Sequence, residues 1–321
     1  MEQESKIATF YDLPKSFISD AVSRIDIVDR LVVQKLSKYL RAIVFGLPPL
    51  KLKLNLEIDA RLIKTMFNNC EAEYVNIYDE YTGVCRVRST KTFEGNYLQT
   101  ALNDIKMIAK NNATELYFSS LEKSNKLGAS LYEDSENAGA EEMNISSGTI
   151  EFKDFYHKEI ATILSYFKKG VFEQIIFRGC KSDGGMEQIY KLEPWRMAKN
   201  FFSEWDVELN GSLLHFFHFT GFIIHINTIT DEMAMEIRDI LFKREIFEWC
   251  DIHCNSSDFS PRKLAKVFQA DYIGGDSFQV NYSNDISNFR IISELYVIRP
   301  TSDKPQTKDW WRVVIRKEGI P

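Results

Sequence analysis

The chain reads as a mixed α+β and α/β protein: a short N-terminal helical unit, then a body of alternating strands and helices, closed by a β-hairpin. Three observations predict this. Apolar residues recur at helical spacing up to Gly46 and the Pro48-Pro49 pair. Period-two alternation starts immediately afterwards, at Leu50. Beyond residue 150, strand-like and helix-like runs take turns until two late strand runs near the C-terminus. A length of 321 residues fits two domains, or a small module on a larger body, and needs neither disulfide nor metal to fold.

The first 48 residues carry the helical unit. Leu13-Pro14 opens it, and Phe17, Ile18, Ala21, Val22 and Ile25 lie along one helical face. Asp26 is placed to cap a second helix bearing Ile27, Leu31 and Val32. Leu36, Leu40, Ile43 and Val44 carry the stripe into a third helix, which Gly46 and Pro48-Pro49 stop.

Leu50, Leu52, Leu54, Leu56 and Ile58 alternate with polar residues and predict a half-buried strand. A helix is expected at 61–68, strands at 73–78 and 84–89, a helix carrying Leu98, Leu102 and Ile105, and a strand at 115–119. Residues 122–149 are rich in Glu, Asp, Ser, Asn and Gly and read as an acidic loop or disordered insertion.

The body from residue 150 onwards is expected to hold a helix over Ile160–Phe167, a strand over Phe172–Phe177 and a short helix over Met186–Lys199. A strand through Trp205, Val207 and Leu209 and another over Phe222–Ile226 follow. Thr230 caps a helix with Met233, Ile237, Ile240 and Leu241 inward. Phe247–Ile252 reads as a strand, and Ser260-Pro261 opens a helix that buries Leu264, Val267 and Phe268. Phe289–Arg299 and Trp310–Arg316 form the terminal hairpin. Strand centres near 175, 205, 223 and 250 are compatible with an irregular leucine-rich-repeat-like array of strand–helix units, and equally with one open α/β sheet.

Composition narrows the function classes. The net charge of −6 argues against phosphate backbones as the main partner, so no nucleic acid is expected. The N-terminal MEQESK has no apolar core of a signal peptide. The longest apolar run, Leu213–Ile226, falls short of the roughly 20 residues that span a bilayer. The expectation is an intracellular, cytoplasmic or nuclear chain without a membrane. Five scattered Cys suit reduced thiols.

No phosphate loop, dinucleotide fingerprint, H-E-x-x-H or G-x-S-x-G occurs in the sequence. Cys250, His253 and Cys254 lack a second ligand pair for zinc, and a strand would turn Cys250 and Cys254 to one face and His253 to the other. His215, His218 and His225 have no carboxylate spaced to complete a site. The expectation is no cofactor, no metal and no catalysis, with a cryptic enzyme in the α/β body as the contrary reading.

Two regions resemble known modules. Leu13-Pro14, Phe17, Ile18, Val22, Ile25, Asp29-Arg30-Leu31-Val32 and Leu36-Ser37-Lys38-Tyr39-Leu40-Arg41 resemble an F-box, with Leu36 where the family shows Val. Met186-Glu187-Gln188-Ile189, Glu193-Pro194-Trp195-Arg196-Met197-Ala198-Lys199 and His218-Phe219-Thr220-Gly221-Phe222 resemble the FTH domain of the nematode F-box A family. So do Ile237-Arg238-Asp239-Ile240-Leu241 and Phe247-Glu248-Trp249-Cys250, while Pro194 stands where the family usually has Gln.

The resemblance implies an F-box at 1–48, a first strand–helix part of the body at 49–121, the acidic loop at 122–149 and an FTH-like domain at 150–321. It implies a non-catalytic substrate receptor of a Skp–cullin–F-box ubiquitin ligase, with a Skp-type adaptor, a cullin and a protein target as partners. A three-helix unit this small leaves apolar surface for a partner. Leu13, Pro14, Ile18, Val22, Leu31 and Leu36 are the expected adaptor contacts. An interaction scaffold without ubiquitin output is the alternative.

Overall fold

The computed structural model describes residues 13–47, 52–59, 62–67, 70–76, 82–87, 89–94, 100–101, 104–105, 114–120, 147–165, 167, 172–206, 212–255, 259–298 and 308–319. The chain divides into two compact units, one holding residues 1–116 with 144–146, the other 117–143 with 147–321.

The first unit begins with helices α1 (Lys15–Arg24), α2 (Ile27–Leu36) and α3 (Lys38–Phe45). Asp26 caps α2 as expected, its carboxylate accepting from the Asp29 amide at 2.9 Å. Ser37 caps α3 through the Leu40 amide at 3.1 Å, and Gly46 ends it. Pro48 and Pro49 lie outside the described residues.

An antiparallel meander follows: β1 (Leu52–Asp59), β2 (Leu62–Phe67), β3 (Cys70–Asn76), β4 (Thr82–Val87) and β5 (Ser89–Glu94). Residues 62–67 are therefore a strand, not the expected helix. Ile63 and Thr65 point into the core, and the Thr65 hydroxyl donates to the Ala72 carbonyl at 3.2 Å. A buried polar residue so satisfied costs little. Ala101 and Ile105 are helical and buried, while Leu98 and Leu102 lie outside the described residues. β6 (Thr114–Ser120) matches the expected strand.

In the second unit β7 (Ser147–Lys153), β8 (Phe172–Arg178), β9 (Asn200–Asp206), β10 (Gly221–Ile226) and β11 (Trp249–Asn255) lie side by side in chain order, all parallel. Then β14 (Lys308–Lys317), β13 (Asn288–Ile298) and β12 (Phe278–Ser283) extend the sheet antiparallel. The terminal hairpin is thus real, and β12 is a third strand that sequence reasoning missed. The unit is a mixed α/β sheet; its antiparallel end departs from the regular array of strand–helix units.

Helices fill the crossovers: α4 (His157–Ser165), α5 (Met186–Ile189), α6 (Glu193–Met197), α7 (Asp231–Asp239) and α8 (Pro261–Phe268). The expected single helix over 186–199 is two, because Pro194 starts a new one at α6. Thr230 caps α7 through the Met233 amide at 3.2 Å. Ser260 precedes α8 without a side-chain capping bond. β9 starts earlier than the expected strand through Trp205, and residues 207–211 lie outside the described ones.

Register sorts the sheet into two faces. Ile150, Ile175, Phe201, Phe222, Cys250, Ile315, Ile291 and Val280 form one cross-strand row, and every member is buried. The next row, on the opposite face, runs Glu151, Ile176, Phe202, Ile223, Asp251, Val314, Ile292 and Gln279. Six of these eight keep partial or full exposure, with only Asp251 and Val314 buried. One face is core; the other meets solvent.

Candidate functional site

Two surfaces matter, one in each unit. In the helical unit, Ile18 and Val22 of α1 meet Leu40 and Ile43 of α3 in a closed apolar cluster, with Ile25, Val33, Tyr39, Val44 and Leu47 packed against it. Arg30 ties α2 to the end of α1: its guanidinium donates to the Ser23 and Ile25 carbonyls. Burial lowers its pKa from the ordinary arginine value. A cation there also complements the negative end of α1.

That core uses Ile18 and Val22, which corrects their assignment as adaptor contacts: they are 0% and 5% exposed. Burying an aliphatic side chain contributes about 1.5–3 kcal/mol, so a unit this small has none to spare. Leu13, Pro14 and Leu36 stay exposed, Leu36 at 69%. Leu31 lies in α2, with its side chain outside the described residues. Two exposed residues were missed, Phe17 at 60% and Val32 at 45%. Val32 and Leu36 are four apart in α2 and share one side of it, while Leu13 precedes α1, which carries Phe17 in its first turn. The available signal was weak: Phe17 lies on the same apolar stripe of α1 as Ile18 and Val22, at its edge, so spacing alone does not set it apart.

The second surface belongs to the sheet unit. Its core side is aromatic. Trp195 is 1% exposed and contacts Phe201 at 4.7 Å, Phe219 at 5.1 Å, Tyr190 at 5.7 Å and Phe216 at 5.9 Å between ring centroids. Its indole donates to the His215 carbonyl at 3.3 Å, and His218 bonds to the Trp195 carbonyl at 2.8 Å. Burial lowers the His218 pKa, against a raising contribution from that bond. His215 stacks on Tyr190 at 4.0 Å, and His225 bonds to the Ser203 carbonyl at 2.8 Å. The histidines are packed groups, each with a structural partner.

Cys250 and Cys254 sit in the core and His253 on the other face, as the strand spacing requires. Burial pushes the Cys180 and Cys254 thiols up to about 12 and raises Cys250 well above the ordinary range. All three are protonated at neutral pH, and a thiol is a poor nucleophile. No grouping of three His, Cys, Asp or Glu side chains that could hold a metal occurs among the described residues. Among them no helix is long and apolar enough to cross a membrane.

On the solvent face His253 lies 3.1 Å from Asp251 and 4.4 Å, ring to ring, from His225. Arg312 holds Asp251 in a fork at 2.6–3.1 Å and reaches Glu294 at 3.2 Å. Burial alone would raise the Asp251 carboxyl, but the His253 and Arg312 bonds outweigh it and hold it below the usual range.

Comparison with known proteins fits this division. A family model described as the FTH domain matches residues 130–271. An F-box A protein of Caenorhabditis elegans, number 224, is 22% identical over 305 residues, covering 86% of this chain and 73% of the relative. Residues 130–271 thus resemble the FTH domain, and the chain is similar to an F-box A protein. No solved structure matches it. The FTH match takes in β7 to β11 and α4 to α8, so it covers the Trp195 hub and the buried row from Ile150 to Cys250, while Ile315, Ile291 and Val280 lie beyond it.

Proposed function

We propose that this chain is the substrate-receptor subunit of a Skp–cullin–F-box ubiquitin ligase. The helices over 15–45 dock on a Skp-type adaptor, and the sheet unit holds the protein to be modified. The chain contributes no acid, base or nucleophile. It raises the rate by holding a target lysine near a ubiquitin-charged enzyme, which turns a bimolecular step into a local one.

The observation that carries this reading is the set Leu13, Phe17, Val32 and Leu36. These apolar side chains remain 39–69% exposed, outside the described cluster built by Ile18, Val22, Leu40 and Ile43. Large apolar residues left exposed on a small helical module point to a partner surface. The relation to an F-box A protein supports a protein-interaction role. The raised thiols of Cys180, Cys250 and Cys254 support a reading without cysteine chemistry at those three positions.

The test is co-purification of the full chain with a Skp-type adaptor and a cullin, beside the double variant Phe17→Ser/Leu36→Ser. Loss of both partners in the variant is expected. Adaptor without cullin would make the protein an interaction scaffold with no ubiquitin output. An unmutated chain that binds neither would sink the receptor reading.

A further inference from the structure

We propose that the solvent face of the sheet unit binds an acidic, extended segment of the recruited protein, with Arg316 as the carboxylate anchor and Trp249 as the apolar platform. This rests on the receptor reading and names the chemistry of the protein recruited.

A cleft of about 520 Å³ opens over β10, β11 and β14, lined by Ile223, Glu248, Trp249, Asp251, Arg312 and Arg316, with Val314 and Lys317 at its margin. Its floor is built for an aromatic ring. Gly221 lies opposite Trp249 in the parallel pair, and a Cβ there would come within 2.4 Å of the indole. Only glycine lets the ring lie across β10. Trp249 stays half-buried, with Phe202 at 5.8 Å as its one ring neighbour among the described residues, and its exposed part is ring surface a ligand can use.

Charge selects the occupant. Arg178 is held by Glu151 and Glu204, Arg290 by Glu318, and Arg312 by Asp251 and Glu294. Arg316 is exposed and has no ion pair among the described residues. It sits in register between Trp249 on β11 and Arg290 on β13, so two arginines face each other directly across β13 and β14. Like charges so placed repel. Lys317 adds a second cation, its ammonium donating to the Glu245 carbonyl at 2.9 Å. Asp251 is taken up by Arg312 and His253, which leaves Glu248 as the one uncommitted acid in the cleft. Arg316 and Lys317 against Glu248 leave a positive balance, on a chain whose net charge is −6. A carboxylate beside an apolar side chain fits: the acid meets Arg316, and the apolar neighbour covers Ile223 and the indole.

The experiment incubates the purified full chain, without adaptor, on an array of extended decapeptides. The peptides carry Ile-x-Glu, Ile-x-Asp, Ile-x-Gln or Ile-x-phosphoserine at the centre, and Arg316→Glu is run in parallel. Retention on Glu and Asp peptides about fivefold or more above Gln is expected, weakening with salt and lost in R316E. Arg316 is exposed, so the variant should unfold at the same temperature as the parent, and Arg316→Gln serves if it does not. Equal retention on Gln peptides, preference for phosphoserine, selectivity surviving in R316E, or no retention on any peptide overturns the assignment. Lost selectivity with adaptor binding intact overturns the acidic-peptide site alone; selectivity without adaptor binding overturns the ligase reading alone.

Discussion

Replacing Ile18 and Leu36 by alanine, one at a time, separates core from docking surface within the same three helices. Ile18 is 0% exposed and, among the described residues, shares its cluster with three other buried side chains. Removing its side chain deletes transfer energy and leaves a cavity, worth about 2–5 kcal/mol. The cluster is small and edged by partly buried residues that can move inward, so the lower half, about 2–3 kcal/mol, is expected. Leu36 is 69% exposed, and its truncation should change stability by no more than about 0.5 kcal/mol. At a docking surface the same truncation costs more than about 1 kcal/mol of binding, approaching tenfold in affinity.

Hydrogen exchange of amides 15–45 reads the local stability, and calorimetric titration with a Skp-type adaptor reads the binding. Ile18→Ala should speed exchange about thirtyfold or more, while Leu36→Ala should weaken binding with exchange unchanged. An unaltered exchange rate in I18A, or a Leu36→Ala loss of stability as large as that of I18A, would refute the division of labour.

Three further outcomes follow from the sheet unit. Gly221→Ala drives a Cβ to within 2.4 Å of the Trp249 ring and should destabilise by about 1–3 kcal/mol in urea unfolding, with a Trp249→Leu background relieving it. The Asp251 carboxyl is depressed in the folded state, so its contribution is present above the unfolded value near 3.9 and is lost as pH falls through the lower folded value. Asp251→Asn should therefore lower stability at pH 7 by about 1–2 kcal/mol and flatten the acid limb below pH 4, and an unchanged acid limb would disprove the pairing. Cys180, Cys250 and Cys254 should resist alkylation by iodoacetamide at pH 8 in the native chain and react once it is unfolded, as mass spectrometry of the labelled peptides would report.

Much of the fold was legible because most elements obey one period. β1, α7 and α8 announce themselves by alternation, a threonine cap and a Ser-Pro start. Two of the misreadings come from buried polar residues. At 62–67 the apolar residues Leu62, Ile63, Met66 and Phe67 mimic helical spacing, because the inward Thr65 breaks the alternation. At β9 the inward Ser203, 5% exposed, hid the true start of the strand. In the helical unit the difficulty is of another kind. Buried and exposed apolar side chains read alike in sequence, so Ile18 and Leu36 look alike until the packing buries the first and leaves the second exposed.

The same logic explains which residues carry the family likeness. Trp195, Phe219 and Phe222 are all buried, and they hold the crossovers against the sheet. They fix the fold and say nothing about a partner. Trp249 is different: it belongs to the Phe247–Cys250 stretch that resembles the family, yet it lies half-exposed on the solvent face. Its demand on the fold is the missing side chain of Gly221, itself part of the resembling stretch His218–Phe222. A fold needing only stability would place a β-branched residue at 221, inside a parallel strand, where glycine weakens the strand. Keeping a glycine there to seat an aromatic ring on the outer face is a sacrifice of strand stability for a surface. That pairing, Gly221 with Trp249, lies within the residues matched to the FTH domain, whereas Arg316 lies beyond them.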